Sequence, residues 1–306
     1  MMKATSLKHR IKAYFDLIRP FTLLAPLIVS SCIMIASFFY NGKTDDLFSI
    51  YWKIIFPASF SFAILNGASN ALNQVTDLRA DKISKPYRPI PQGLISTNAA
   101  LSISLIMFIL AFTISLFINI VFSFFLILIT IFSVTYSLPP RIKDYLFLNQ
   151  IWVGVPRGLL AVLASWSVFG SVLQPLPLTI GIISMFFLIG GSVTKDITDG
   201  KADKKTGTNT LINTYGIKNA AFMILPFMFF PFAFVPILID VGILEPYLFL
   251  LTFLMVPSYL IFHFMIRDKT KSRHLENTSS WTLMYVTYFI FALGFSILTI
   301  QGSIVL

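Results

Sequence analysis

Residues 66–93 read NGASNALNQVTDLRADKISKPYRPIPQG. The stretch begins as the end of an apolar run. It then places Asn73, Asp77 and Asp81 four residues apart and closes with basic residues among prolines. On a helix, residues four apart stack on one face. One face therefore carries an amide oxygen and two carboxylates, at the mouth of what reads as a membrane span. Hard cations such as Mg²⁺ take oxygen ligands of this kind and share them with substrate phosphates. Pro86, Pro89 and Pro91 end the helix and predict an extended segment after it, which fixes Arg88 beside the acidic face.

The rest of the composition puts this stretch in a membrane. Of 306 residues, 56% are hydrophobic and 12% charged, with 32 Phe, and the mean hydropathy is +0.81. A soluble domain carries about twice that fraction of charge. A bilayer core of roughly 30 Å takes about 20 apolar residues per helix. That ruler predicts an all-α chain with nine transmembrane helices in one bundle, at 20–40, 53–76, 99–118, 120–137, 149–170, 176–195, 219–240, 246–266 and 281–300. Asn119 alone separates the third from the fourth, so that pair reads as a tight hairpin. No linker marks a second domain, so 1–306 reads as one unit. Its motif loops lie at about 73–98 and 195–218.

The net charge of +10 is explained by sidedness rather than by nucleic acid. Of the 23 Lys and Arg, all but Lys43, Lys53 and Arg157 fall in the tail 1–19 or in alternate connections at 77–98, 138–148, 195–218 and 267–280. Basic loops stay cytoplasmic, so the N-terminus and both Asp-rich segments are expected there. The tail 1–19 reads as a basic flank to the first span. The lone Cys32 can form no intrachain disulfide, and His9, His263 and His274 make no cluster for zinc or haem.

The second acidic segment is GSVTKDITDGKADKKTGTNTL, residues 191–211. Asp196, Asp199 and Asp203 stand at i, i+3 and i+7, again one helical face. A single Asp-x-x-x-Asp in a polar loop is usually just solvated. Two such faces, on the same side of the membrane, hold five of the chain's 13 acidic residues and repel unless cations bind between them. Two carboxylate clusters, each with a Mg²⁺, could grip a diphosphate from both sides. Lys82, Lys85, Arg88 and Lys195 lie beside these faces and suit phosphate oxygens, although each also serves topology. Arg157 is the one basic residue deep in a span. It reads either as a contact to diphosphate or acceptor headgroup, or as a structural partner of a carboxylate or helix end.

These segments resemble the UbiA-type superfamily of intramembrane prenyltransferases. The first signature, Asn-x-x-x-Asp-x-x-x-Asp, is matched by Asn73, Asp77 and Asp81. Its continuation is matched by Lys85, Pro86, Arg88, Pro89, Pro91 and Gly93. Asp199 and Asp203, preceded by Asp196, match the second, and Tyr136, Ser137, Pro139 and Pro140 match a Tyr-Ser-x-Pro-Pro landmark. Ala202 stands where many members have Gly. Arg141 and Lys143 follow the landmark early and are set aside from the site. The resemblance implies a lipid-accessible cavity and Mg²⁺-dependent transfer of a polyprenyl group from an allylic diphosphate, such as geranylgeranyl diphosphate, to a hydrophobic acceptor in the membrane. It implies Asn73, Asp77, Asp81, Asp196, Asp199 and Asp203 as ligands of two Mg²⁺, with Asp77, Asp81, Asp199 and Asp203 catalytic. Asn73, Lys82, Lys85, Arg88, Tyr136, Arg157 and Lys195 are the implied substrate contacts. Acceptors in the family include aromatic rings, chlorophyll precursors, haem and geranylgeranylglyceryl phosphate, and the Arg-Pro-Ile-Pro run is closest to the ether-lipid and chlorophyll-type members. The rival from another class is a polytopic transporter, which would place its ionisable groups near the bilayer midplane.

Overall fold

The computed structural model describes residues 7–267 and 278–305, and every regular element among them is helical. Lys3, Lys269, Lys271 and Arg273, counted above for sidedness, and His274 lie outside them, as do the side chains of Lys8, His9, Arg10 and Lys201. Among the described residues, eight helices are long and apolar enough to cross a membrane. We number the elements α1 (Leu7–Ile18), α2 (Pro20–Tyr40), α3 (Leu47–Thr76), α4 (Leu78–Ser84), α5 (Thr97–Leu116), α6 (Ile120–Ser137), α7 (148–166), α8 (Pro175–Gly191), α9 (Asp196–Thr206), α10 (Leu211–Asp240), α11 (Pro246–Arg267) and α12 (Ser279–Val305).

The expected span at 149–170 corresponds to α7. It is continuous, through a π-helical turn at Val155–Leu160, but it is not one of the eight. Asn149, Gln150 and Arg157 lower its hydropathy. The expected hairpin is formed: the Asn119 side chain accepts from Phe122 N at 2.7 Å and caps α6.

Two elements differ from expectation. The basic tail contains a helix, α1, that a search for 20-residue apolar runs cannot find, because its sequence LKHRIKAYFDLI is mixed. Ala13 and Leu17 of α1 pack with Ala71, Ile90, Ile95 and Ala100 into a small core at the motif end. The segment after α4 is not extended. It folds into consecutive turns, with Gln92 N on Arg88 O at 3.1 Å and Leu94 N on Pro89 O at 3.0 Å. Gly93 takes φ 72°, which that turn requires. Pro86, Pro89 and Pro91 break the helix as expected, but the apolar Ile90 and Ile95 pull the chain back onto α1 and α3.

The long helices pack in chain order, α2 on α3, α3 on α5, and so on to α12, which returns to α2. The ring has two cores. One joins Met34, Phe62, Phe122 and Leu163. The other joins Ile33, Phe187, Met228 and Phe291. Between them lies a cavity of about 270 Å³.

Candidate active site

The first acidic face survives a break in its helix. Asp77, at φ −99° and ψ 12°, ends α3, yet Asp77 N still reaches Asn73 O at 2.9 Å and Asp81 N reaches Asp77 O at 2.8 Å. The four-residue ladder therefore runs on into α4, and Asn73, Asp77 and Asp81 stay stacked. The second face begins where α8 tightens into a 3₁₀ turn, Ser192–Lys195, and restarts as α9 at Asp196. Gly207, at φ 81°, stops α9.

The two faces meet through a cross-motif ion pair. Lys85 Nζ lies 2.6 Å from Asp199 Oδ1 and 2.7 Å from Oδ2. Each remaining first-motif carboxylate has its own base. Arg88 Nη1 grips Asp81 at 3.0 and 2.9 Å, and both are buried, at 8% and 3% exposure. Arg141 Nη2 and Lys143 Nζ contact Asp77 Oδ1 at 2.8 and 2.5 Å. Arg141 Nε also holds Asp144 at 2.7 Å, and Thr208 Oγ1 donates to Asp144 at 3.3 Å. Ser137 Oγ donates to Asn73 Oδ1. Lys195 Nζ donates to the Tyr136 hydroxyl at 2.7 Å and sits 5.2 Å from its ring centroid.

The electrostatics follow from these contacts. Burial drives the Asp77 carboxyl up, but Lys143 and Arg141 outweigh it and hold the group below the usual carboxylate range. Burial outweighs Arg88 at Asp81, whose carboxyl is raised. Burial also lowers the Lys143 ammonium despite Asp77. Asp203 faces no base at salt-bridge distance among the described residues. Burial first, then the charges of Asp199 and Asp196, push its carboxyl up to about 7.

Two cavities share this region. The deeper one, of about 270 Å³, runs from Arg19, Asn73, Lys195 and Asp199 down to Ile33, Phe62 and Ser165. The second, of about 380 Å³, is polar and is lined by Asp77, Asp81, Asp203, Arg88, Arg141 and Lys143. Lys85 and Asp199 line both, so the cross-motif pair stands where polar mouth meets apolar interior. Tyr136 and Arg157 open onto the deeper cavity. Lys82 is exposed and lines neither. Asp196 is buried behind the second face at 5% exposure, and its Oδ2 has no hydrogen-bond partner.

The donor set is all oxygen. It includes a buried orphan carboxylate oxygen and a carboxyl raised partly by its neighbours' negative charge. That chemistry fits a hard divalent cation. Among the described residues no three carboxylates converge on one point.

Sequence reasoning set aside Arg141 and Lys143 and did not single out Asp144. They were legible only as loop charges. Their distance from Asp77 in the chain hides a contact made when the loop after α6 folds back over the end of α3.

Known proteins resemble the chain over most of its length. The model of the UbiA prenyltransferase family matches residues 29–284. A digeranylgeranylglyceryl phosphate synthase of Sulfurisphaera tokodaii is 30% identical over 70% of this chain and 73% of its own length. One of Methanosphaera stadtmanae is 28% identical over 69% of this chain and 71% of its own. The structure of a UbiA homolog from Archaeoglobus fulgidus bound to GPP and Mg²⁺ superposes with a TM-score of 0.70. It covers 96% of this chain and 100% of its own at 18% identity, a likeness of fold. With paired acidic faces at the mouth of an apolar cavity and a family match over most of its length, the chain belongs to the UbiA prenyltransferase family.

Proposed function

We propose that the protein transfers a polyprenyl group from an allylic diphosphate to a hydrophobic acceptor within the bilayer, with Mg²⁺ as cofactor. The observation that carries this reading is the Lys85–Asp199 pair, which joins the two acidic faces at the boundary between a polar cavity and an apolar one. A diphosphate ester of a long hydrocarbon has that same division. Asn73, Asp77, Asp81, Asp199 and Asp203, with Asp196 behind them, are the residues that would hold the metal, as two ions in this reading. When bound, Mg²⁺ supplies neutralisation of the charge that develops on the departing diphosphate.

The chain's own residues do the rest. Lys85, Arg88, Lys195, Arg141 and Lys143 now close on oxygens of Asp199, Asp81, Tyr136 and Asp77. With a cation held by the carboxylates, these donors would be free to meet phosphate oxygens, where they would stabilise the charge of the transition state. The apolar walls keep water from the allylic cation, and the Tyr136 ring, already facing Lys195, tolerates positive charge.

In this reading α7 is a ninth crossing, the N-terminus and the acidic faces are cytoplasmic, as the distribution of basic residues supports, and 1–306 forms one domain. The archaeal relatives support geranylgeranylglyceryl phosphate as acceptor, which would make the protein an ether-lipid synthase.

The test is incubation of the purified protein with labelled geranylgeranyl diphosphate, Mg²⁺ and a panel of acceptors, followed by mass analysis of products. Mg²⁺-dependent prenylated product is expected. Solute uptake by vesicles without diphosphate release would instead favour a carrier.

A further inference from the structure

Arg157 is placed by a device that the prenyl-transfer site does not otherwise need. It lies in the π-helical turn Val155–Leu160 of α7. Such turns free backbone carbonyls and recur at functional positions. Here the Arg157 carbonyl accepts from the Tyr288 hydroxyl at 3.1 Å, and Tyr288 is itself 3.1 Å from Ser184 Oγ. On the other side of the turn, Gly154 and Gly158 press against α8. A Cβ at Gly158 would stand 2.4 Å from Met185 Cα, and one at Gly154 would stand 2.8 Å from Met185 O. The turn is therefore clamped from behind, and the guanidinium is left facing the cavity.

In that cavity it meets no carboxylate within 4.0 Å among the described residues. Its side-chain partner there is the Asn66 amide oxygen, 3.4 Å from Nη2. The charged groups lining the cavity with it are Arg19, Lys85, Lys195 and Asp199, and Asp199 is taken by Lys85. A guanidinium whose side-chain partner is a neutral amide oxygen is costly in a membrane interior unless an anion joins it.

The diphosphate does not account for this anion. Asn66 and Asn73 lie on the same helix, α3, and seven residues of helix rise roughly 10 Å. Arg157 thus works about two turns deeper than the acidic face that receives the donor's diphosphate. Resting on the prenyl-transfer reading, we infer that Arg157 binds the anionic group of the acceptor, a phosphomonoester or a carboxylate. It thereby selects anionic amphiphiles as acceptors and positions their nucleophile beside the donor.

The experiment compares wild type with Arg157→Gln and Arg157→Lys. The donor is labelled geranylgeranyl diphosphate with Mg²⁺, and the acceptors are geranylgeranylglyceryl phosphate, 4-hydroxybenzoate and, as the neutral control, geranylgeranylglycerol. Arg157→Gln is expected to raise the KM of the productive anionic acceptor roughly tenfold or more, the size of a lost charge-assisted hydrogen bond. Donor KM should stay within about twofold, and Arg157→Lys should recover part of the loss. The acceptor that shows the loss identifies the anion as lipid phosphate or aromatic carboxylate. An equal rise in donor KM, or a neutral acceptor used as well as the anionic ones, overturns the inference. Thermal stabilisation by each acceptor without donor is measured in parallel. If wild type forms no product yet is stabilised by an anionic acceptor and Arg157→Gln is not, the prenyl-transfer reading fails while the anion site stands. Equal stabilisation of both proteins, or of neither, overturns the site.

Discussion

Asp77, Asp81 and Asp199 share a residue type and a motif pattern, but the structure gives each a different partner and therefore a different response to mutation. Asp77 and Asp199 are partly open, at 26% and 25% side-chain exposure. Asp77→Asn or Asp199→Asn should leave the fold intact and lower prenyl transfer by roughly 100-fold or more, the scale of removing one preorganised electrostatic group. Product formation at saturating Mg²⁺ checks this. The pair Asp81–Arg88 is buried on both sides, so Arg88→Ala strands a carboxylate in the interior. It should destabilise the protein by about 3–5 kcal/mol, read as a fall in the thermal unfolding midpoint in detergent. The double variant Asp81→Asn with Arg88→Met removes the stranded charge and should recover most of the midpoint but not the activity. A purely catalytic role for Arg88 would leave the Arg88→Ala midpoint unmoved.

At the scale of elements, the motif helix is anchored by polar side chains next to its ligand stripe. Gln74 Nε2 donates to Leu17 O at 2.7 Å, and Asn70 Nδ2 donates to Ile18 O at 2.9 Å. Asn66 Nδ2 reaches Thr22 O at 3.0 Å. Asn66, Asn70 and Gln74 stand four apart, a second stripe beside the ligand stripe. Asn70 and Gln74 satisfy carbonyls left open where α1 ends and Arg19, at φ 55°, turns the chain into α2. Gln74→Leu leaves the Leu17 carbonyl buried without a donor and should cost about 1–3 kcal/mol. Its unfolding midpoint should fall while the KM for donor changes little. This stripe was visible in the sequence as amides, but not its purpose, since α1 is too short and too polar for a hydropathy scan to find.

At the scale of the molecule, the closed ring of helices leaves a cavity with a mouth and a floor. The lining reaches Ile33 on α2, Phe62 on α3 and Ser165 on α7 and goes no further. Below it Trp166 is fully buried, its indole N–H donating to Gln174 Oε1 at 2.6 Å, and Gln174 in turn donates to Asn41 at 3.0 Å. From Asn73 to Phe62 the helix descends roughly 16 Å. Ile33→Trp or Ser165→Phe should raise that floor and reduce turnover of a geranylgeranyl donor far more than that of a geranyl donor. Competition between the two labelled donors measures this, and equal loss with both would show that the tail does not reach the floor. Chelation of divalent cations should abolish turnover of every donor, because the bases that close on the carboxylates cannot replace the metal's charge. Activity that survives chelation would refute the metal requirement.

By itself the sequence determined the properties that depend on local spacing. Apolar runs set the helices, the distribution of Lys and Arg predicted their sidedness, and the four-residue stagger made two acidic faces. Helical periodicity is intrinsic to the backbone, so these were readable from neighbours along the chain. The tertiary structure decided which base meets which carboxylate: Lys85 to Asp199, Arg88 to Asp81, and Arg141 with Lys143 to Asp77. It also folded the proline segment into turns, built α1 against α3, and aimed Arg157 at a cavity where, among the described residues, no carboxylate lies within 4.0 Å of it. Those outcomes depend on how helices slide and rotate against one another until side chains of both interlock. The partners in such contacts lie far apart in the chain, and no spacing within one segment encodes them.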